Sequence, residues 1–205
     1  MGLQQPFFCH DNPSLQGNIC VKAQGYNFID RRLKPNYTER NKKGVGALLK
    51  IAGTKIQNGD GHEEAYALLR TLWQEETGRP FPEIAHTERG KPYFVKEDIY
   101  FSVTHTKRHA FCALSDVPVG IDGEETDRKI NPALAEKILS PEEYKQYLAA
   151  KDPNRALLTF WVLKEAAAKC TGEGLRGYPN KTEFSLNDPR VKEMNGCLVA
   201  VIKER

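Results

Sequence analysis

Apolar residues recur at helical spacing in two long segments of the chain. The first helix is predicted over 62–78, where a glycine ends the pattern. The second is predicted over 152–172, because an aspartate followed by proline suits a helix start and a glycine suits its end. Two shorter helices are predicted between them, one over 131–139 and one that begins at the cap residue Ser140.

Short apolar runs bounded by turn residues predict strands around these helices. The earliest part of the chain is less regular: 18–24 could be a strand, 31–43 is a basic stretch rich in turn residues, and 45–51 could be a short helix or a strand. Helices mixed with antiparallel strands predict an α+β fold class. The clearer strands are predicted over 83–88, 91–95, 100–104, 110–114, 117–121, 182–186 and 196–202.

Composition narrows the class of protein. Of 205 residues, 40% are hydrophobic and 28% are charged, as expected for a chain that buries an ordinary core. The net charge of +3 argues against wholesale coating of a nucleic acid but allows a local basic patch. The basic stretch lacks the interleaved aromatic residues of a known nucleic-acid-binding motif, so we expect no nucleic-acid partner. Five scattered cysteines without a CxxC spacing disfavour zinc and disulfides, and no apolar run is long enough for a membrane span. We therefore expect a cytoplasmic protein without a membrane partner.

Two carboxylates directly follow the predicted strand over 117–121. Asp122 and Glu124 are two residues apart, so they project to one face if the chain stays extended. Carboxylate oxygens are the ligands that Mg²⁺ prefers, usually together with substrate phosphate and water. The alternative is an ordinary solvated strand end, because further acids follow directly.

The long second helix carries a second candidate set. Trp161, Glu165 and Lys169 are spaced by one helical turn and share a face. A surface ion pair and a core tryptophan would explain the same residues. His105, in the turn after a strand, could be a solvent-facing loop residue or could bind phosphate, and the basic turn 89–92 is a weak signal alone.

Taken in order, four motifs make these signals specific. The chain resembles the 4′-phosphopantetheinyl transferase superfamily, in its longer, Sfp-like branch, over roughly 62–186. The resemblance rests on the segments 89–92 (RGKP), 101–106 (FSVTHT), 119–124 (VGIDGE) and 161–169 (WVLKEAAAK).

The resemblance implies a fold, a reaction and a site. The fold would be a monomeric pseudodimer of two similar α+β halves, here 1–116 and 117–205, with the active site in the cleft between them. The enzyme, of the holo-[acyl-carrier-protein] synthase type, would move 4′-phosphopantetheine from coenzyme A to a serine of an apo acyl or peptidyl carrier protein, release 3′,5′-ADP and need Mg²⁺.

The implied roles follow the motifs residue by residue. Three acids would bind the metal: Asp122, Glu124 and Glu165. Five residues would contact coenzyme A: Lys91, Thr104, His105, Lys164 and Lys169. Three would take part in catalysis, with either glutamate as the base that accepts the serine proton: Glu165, Glu143 and Lys169.

Two departures keep a second hypothesis open. Gly123 stands between the metal acids where the superfamily usually has an aliphatic residue, and glycine loosens a strand. Residues 1–60 do not align, although Arg31, Arg32 and Arg40 are candidates to bind the 3′-phosphate of coenzyme A. The alternative is therefore a degenerate member that binds coenzyme A or a carrier protein without catalysis.

Overall fold

The structure is a computed structural model that describes residues 48–57, 59–175 and 182–204. The predicted strand over 18–24, the basic stretch 31–43 with its three arginine candidates, and the first residues of 45–51 lie outside the described residues. The described elements are β1 (Leu49–Lys55), α1 (Gly61–Thr77), β2 (Ile84–His86), β3 (Pro92–Phe94), β4 (Tyr100–His105), β5 (His109–Ser115), β6 (Val119–Glu125), a 3₁₀ turn (Pro132–Leu134), α2 (Ala135–Ile138), α3 (Pro141–Ala149), α4 (Pro153–Thr171), β7 (Val191–Met194) and β8 (Cys197–Lys203).

The first described layer is a helix packed on a sheet. Strands β1, β5 and β4 form an antiparallel sheet in that order, and β2 pairs with β3 as a separate hairpin. Helix α1 buries Leu69 and Trp73 against this sheet, together with Phe94 and Phe101. The buried indole N–H of Trp73 donates to the carbonyl of Pro80 at 3.0 Å, which holds the chain just after the helix.

The second layer repeats this arrangement with different elements. Strands β6, β8 and β7 form an antiparallel sheet in that order, and α4 packs across it. Helix α4 crosses β6 very closely at Gly120. A Cβ on this glycine would lie 2.0 Å from the carbonyl oxygen of Ala166 and 2.4 Å from the backbone nitrogen of Cys170. Only glycine allows this approach, which joins the strand of Asp122 to the helix of Glu165.

The two layers meet along β4 and β6. The backbone N–H of Ile121 donates to the hydroxyl of Ser102 at 3.1 Å. A shared apolar cluster that includes Phe111, Ile121 and Val199 fills the space between the sheets. The α+β class is therefore confirmed, whereas the pseudodimer and the division into 1–116 and 117–205 remain predictions.

Most predicted elements are present, and the exceptions have physical reasons. Strand β6 runs through Asp122 to Glu125, so the aspartate lies within the strand and not after it. The predicted strand over 182–186 is wrong: side chains satisfy its backbone, since the N–H of Phe184 donates to Glu143 at 2.8 Å. The polar strand β7 was not predicted, and the predicted helix over 131–139 is divided into the 3₁₀ turn and α2.

The helices within the described ranges are too short or too polar to cross a bilayer.

Candidate active site

A cleft of about 350 Å³ opens where β4, β6, α4 and the start of α1 meet. It collects six of the nine residues that the sequence singled out. Trp161, which the sequence left between core and site, also borders it and is partly buried. The cleft is lined by His62, Ala65, Val103, Thr104, His105, Asp122, Glu124, Trp161, Glu165 and Lys169.

Asp122 is the buried centre of this cleft. Only 6% of the residue is exposed, and its Oδ1 accepts hydrogen bonds from the Nζ of Lys169 at 2.7 Å and the hydroxyl of Thr104 at 3.0 Å. Its other oxygen, Oδ2, is buried and has no hydrogen-bond partner among the described residues. Burial raises the pKa of this carboxyl above its ordinary value, although Lys169 and Thr104 oppose the shift.

Glu165 faces Asp122 from helix α4. Burial raises the pKa of Glu165, and the negative charge of Asp122 raises it further, whereas Lys169 lowers it. The electrostatic coupling means that two acids from distant parts of the chain share one region of low dielectric. A cation placed there would relieve both the burial of the charges and their mutual repulsion.

Glu124 lies two residues after Asp122 and borders the same cleft. Its carboxylate is already engaged, because the guanidinium of Arg128 pairs with its Oε1. Its side chain is 15% exposed and that of Arg128 is 44% exposed. Sequence reasoning missed Arg128, since nothing in the spacing marks an arginine that lies in a turn beyond the strand.

Lys169 and Thr104 tie the two layers together at the base of the cleft. The Nζ of Lys169 donates to the Thr104 hydroxyl at 3.0 Å as well as to Asp122. His105 lies at the end of β4, and its ring packs over Gly61, where a Cβ would lie 2.5 Å from Nδ1. The start of α1, including His62, therefore belongs to the site although the sequence assigned it no such role.

Lys91 borders an adjoining cleft of about 240 Å³, which shares Glu165 and Lys169 with the first. Its Nζ donates to the carbonyl oxygen of Cys170, in the last turn of α4. Burial lowers the pKa of Lys91, while the nearby Cys170 and Glu204 oppose this shift. The basic turn 89–92 thus lies beside Glu165 and Lys169.

Glu143 and Lys164 are the two predicted site residues that the structure does not bring into either cleft. They form an ion pair of 2.7 Å, with side chains 0% and 1% exposed. The carboxylate of Glu143 also accepts the backbone N–H groups of Ser140 and Phe184, at 2.7 and 2.8 Å. Lys164 precedes Glu165 by about 100° around the helix, so its side chain points into the core of the second layer.

The donor set of the first cleft fits a hard divalent cation. Carboxylate oxygens suit Mg²⁺, and Oδ2 of Asp122 is a buried acceptor without a hydrogen-bond partner within the described ranges. In those ranges, no three His, Cys, Asp or Glu side chains already stand close enough together to form a metal centre. Binding would therefore need side-chain movements that bring the carboxylates together.

Gly123 is compensated by its neighbours. A Cβ at this position would lie 3.2 Å from the ring of Phe111 and 3.5 Å from Val199. The same ring covers Gly53, its partner across β1 and β5. The aromatic side chain thus fills the space that an aliphatic residue would occupy, and β6 keeps its full pairing with β8.

Part of the chain is similar to known proteins. Residues 118–198 match the model of the 4′-phosphopantetheinyl transferase superfamily. The resemblance inferred from the four motifs is therefore confirmed: in this part, the chain is similar to Sfp-like 4′-phosphopantetheinyl transferases.

Particular relatives show the same similarity. The 4′-phosphopantetheinyl transferase gsp of Aneurinibacillus migulanus is 37% identical over 91 residues, which are 43% of this chain and 37% of that protein. The 4′-phosphopantetheinyl transferase Sfp of Bacillus subtilis strain 168 is 36% identical over 92 residues, 43% of this chain and 40% of that protein. The 4′-phosphopantetheinyl transferase psf-1 of Bacillus pumilus is 32% identical over 113 residues, which are 53% of this chain and 48% of that protein. The chain thus spans less than half the length of these relatives.

Proposed function

We propose that the protein transfers 4′-phosphopantetheine from coenzyme A to a serine of an apo acyl or peptidyl carrier protein, releasing 3′,5′-ADP. The observation that carries the proposal is the cleft itself. It joins Asp122, Glu165 and Lys169 with Thr104 and His105, which belong to the motifs on which the resemblance rests. The names of the relatives support the general transfer reaction.

The proposed metal is Mg²⁺, bound by Asp122 and Glu165, with Glu124 as a third carboxylate ligand. When bound, it would supply charge neutralisation for the pyrophosphate of coenzyme A. The unpartnered oxygen of Asp122 supports this assignment, because a buried acceptor without a donor is costly unless a ligand satisfies it.

The remaining residues have proposed roles in binding and proton transfer. Lys169 lies at the boundary of the two clefts, where its ammonium can stabilise negative charge on a transferred phosphoryl group. Lys91 and His105, on either side, would contact the nucleotide and phosphates. Glu165 borders both clefts and is the proposed base for the serine hydroxyl.

Glu143 is disfavoured as the direct base, because its carboxylate is engaged by backbone donors and Lys164 in the core. Lys164 is likewise disfavoured as a contact of coenzyme A. Both are better explained as the buried support that fixes α3, α4 and the segment after residue 182.

The proposal is tested by mass spectrometry of apo carrier proteins incubated with the full chain, coenzyme A and Mg²⁺. We expect the mass of one phosphopantetheine group to be added to the carrier serine. Asp122→Asn and Glu165→Gln should each abolish the transfer, whereas Glu142→Gln, an exposed acid on α3, should leave it unchanged. Normal transfer by both cleft variants would contradict the proposal.

The second candidate is a member that binds coenzyme A without transferring its arm. The engagement of Glu124 by Arg128, and the lack of a preassembled ligand cluster in the described ranges, favour this alternative. Calorimetry with coenzyme A separates the two: the alternative predicts saturable binding and no modified carrier. The finer proposals of a cytoplasmic monomer are tested by fractionation and by light scattering.

A further inference from the structure

The turn after β6 anchors one arginine at the edge of the cleft. The backbone N–H of Arg128 donates to the carbonyl of Glu125 at 3.0 Å, and its own carbonyl accepts the side-chain amide of Asn154 at 2.9 Å. The other end of that amide accepts the N–H of Ile130 at 3.2 Å. The turn is therefore fastened to the first turn of α4, and the guanidinium is held near the carboxylates.

The guanidinium occupies one of the three acids that the proposed metal needs. It pairs with Oε1 of Glu124. Among the cations that pair with these acids, Arg128 is the most exposed, with 44% of its side chain exposed. A divalent cation bound to the same carboxylate would repel the arginine, since the two positive charges would lie within a few ångströms. Arginine and metal therefore compete for Glu124.

We propose that Arg128 is a built-in competitor of the divalent cation, which holds Glu124 until the metal displaces it. Lys169 has a different position, because its ammonium is held by the hydroxyl of Thr104 as well as by Oδ1 of Asp122, and its side chain is less exposed than that of Arg128, 32% against 44%. The arginine is therefore the cation that a metal at these carboxylates displaces more easily. This inference rests on the metal site of the proposed function.

The competition has a measurable size. Half-exposed ion pairs contribute on the order of 0.2–1 kcal/mol, so removing the arginine should tighten metal binding by about 1.4- to fivefold. The effect should vanish when Glu124 cannot pair, which makes a double-mutant cycle the natural design.

The test is a titration of the full chain with Mn²⁺ in the absence of coenzyme A. The electron paramagnetic resonance signal of free Mn²⁺ measures how much of the metal is bound. We expect Arg128→Gln to bind Mn²⁺ about 1.4- to fivefold more tightly than the unaltered protein, and Arg128→Lys to stay close to the unaltered protein. The matched control is Arg155→Gln, since Arg155 has a similarly exposed ion pair with Glu193 on the same layer. This control should not change the affinity.

The outcomes separate the inference from the proposed function. An Arg128→Gln variant that binds Mn²⁺ no more tightly, or that keeps its gain in a Glu124→Gln background, overturns the inference alone. Absence of any binding that depends on Asp122 overturns both the metal site and the inference. Thermal unfolding in EDTA, compared with Arg155→Gln, verifies that the variants are folded.

Discussion

The close crossing of β6 and α4 at Gly120 makes a sharp prediction about this superfamily motif. In Gly120→Ala, the new methyl group would lie 2.0 Å from the carbonyl oxygen of Ala166 and 2.4 Å from the nitrogen of Cys170. These two backbone atoms are four residues apart in α4, so the methyl group points at a helical hydrogen bond. No flexible side chain can yield; the helix itself must move by roughly 1–2 Å to restore normal contact.

The cost follows from this geometry. Overpacking of a core usually destabilises by 1–3 kcal/mol, and a clash with two backbone atoms of one helix should fall at about 3 kcal/mol. For a chain of this size, that corresponds to a fall of about 6–12 °C in the unfolding temperature. Because β6 carries Asp122 and α4 carries Glu165, the displacement should also separate the two acids and weaken metal binding.

Urea denaturation and thermal unfolding measure the effect, and the same strand supplies the control. Gly123→Ala adds a methyl group at 3.2 Å from the ring of Phe111, which would have to shift by only a few tenths of an ångström, so it should change stability by less than about 1 kcal/mol. Equal stability of the two variants, or an unaffected Gly120→Ala, would refute the argument that this crossing demands glycine.

Two further predictions concern buried charges. Lys164→Met leaves Glu143 buried without its cation, so it should lower the free energy of unfolding, measured by urea denaturation, by about 3–5 kcal/mol. Part of this stability should be recovered in a Glu143→Gln background. A loss below about 1 kcal/mol would disagree with a buried ion pair. Because burial and Asp122 raise the pKa of Glu165, the metal-free protein should lose stability as pH rises from the ordinary glutamate range through that raised pKa. In thermal unfolding with EDTA, Glu165→Gln should reduce the dependence of stability on pH, and the variant should no longer be stabilised by Mg²⁺. An unchanged pH profile would count against a raised pKa at Glu165.

The amphipathic helices were predictable because their signals are local. Helix α1 needed only its apolar spacing and the glycine at residue 78, and α3 needed only the serine, proline and acids at its start. The segment 182–186 could not be assigned in this way. Its apolar alternation resembles a strand, but its backbone partners are side chains of α3, which come from far away in the sequence.

The candidate site shows the same division between local and distant information. Spacing placed Asp122 with Glu124, and Glu165 with Lys169, on shared faces. Neither spacing nor resemblance showed that Lys164 turns into the core to meet Glu143, because that contact depends on how α3 packs against α4. Arg128 could not be predicted for the same reason. Its position beside Glu124 depends on a turn that is hydrogen-bonded to α4.

The account depends most on one divalent cation being bound jointly by acids from β6 and α4. The direct measurement is a Mn²⁺ titration of the full chain, followed by electron paramagnetic resonance and competed with Mg²⁺. We expect one displaceable ion per chain, lost in Asp122→Asn and in Glu165→Gln alike. Undiminished Mn²⁺ binding in both variants, or binding that Mg²⁺ does not displace, would contradict the account.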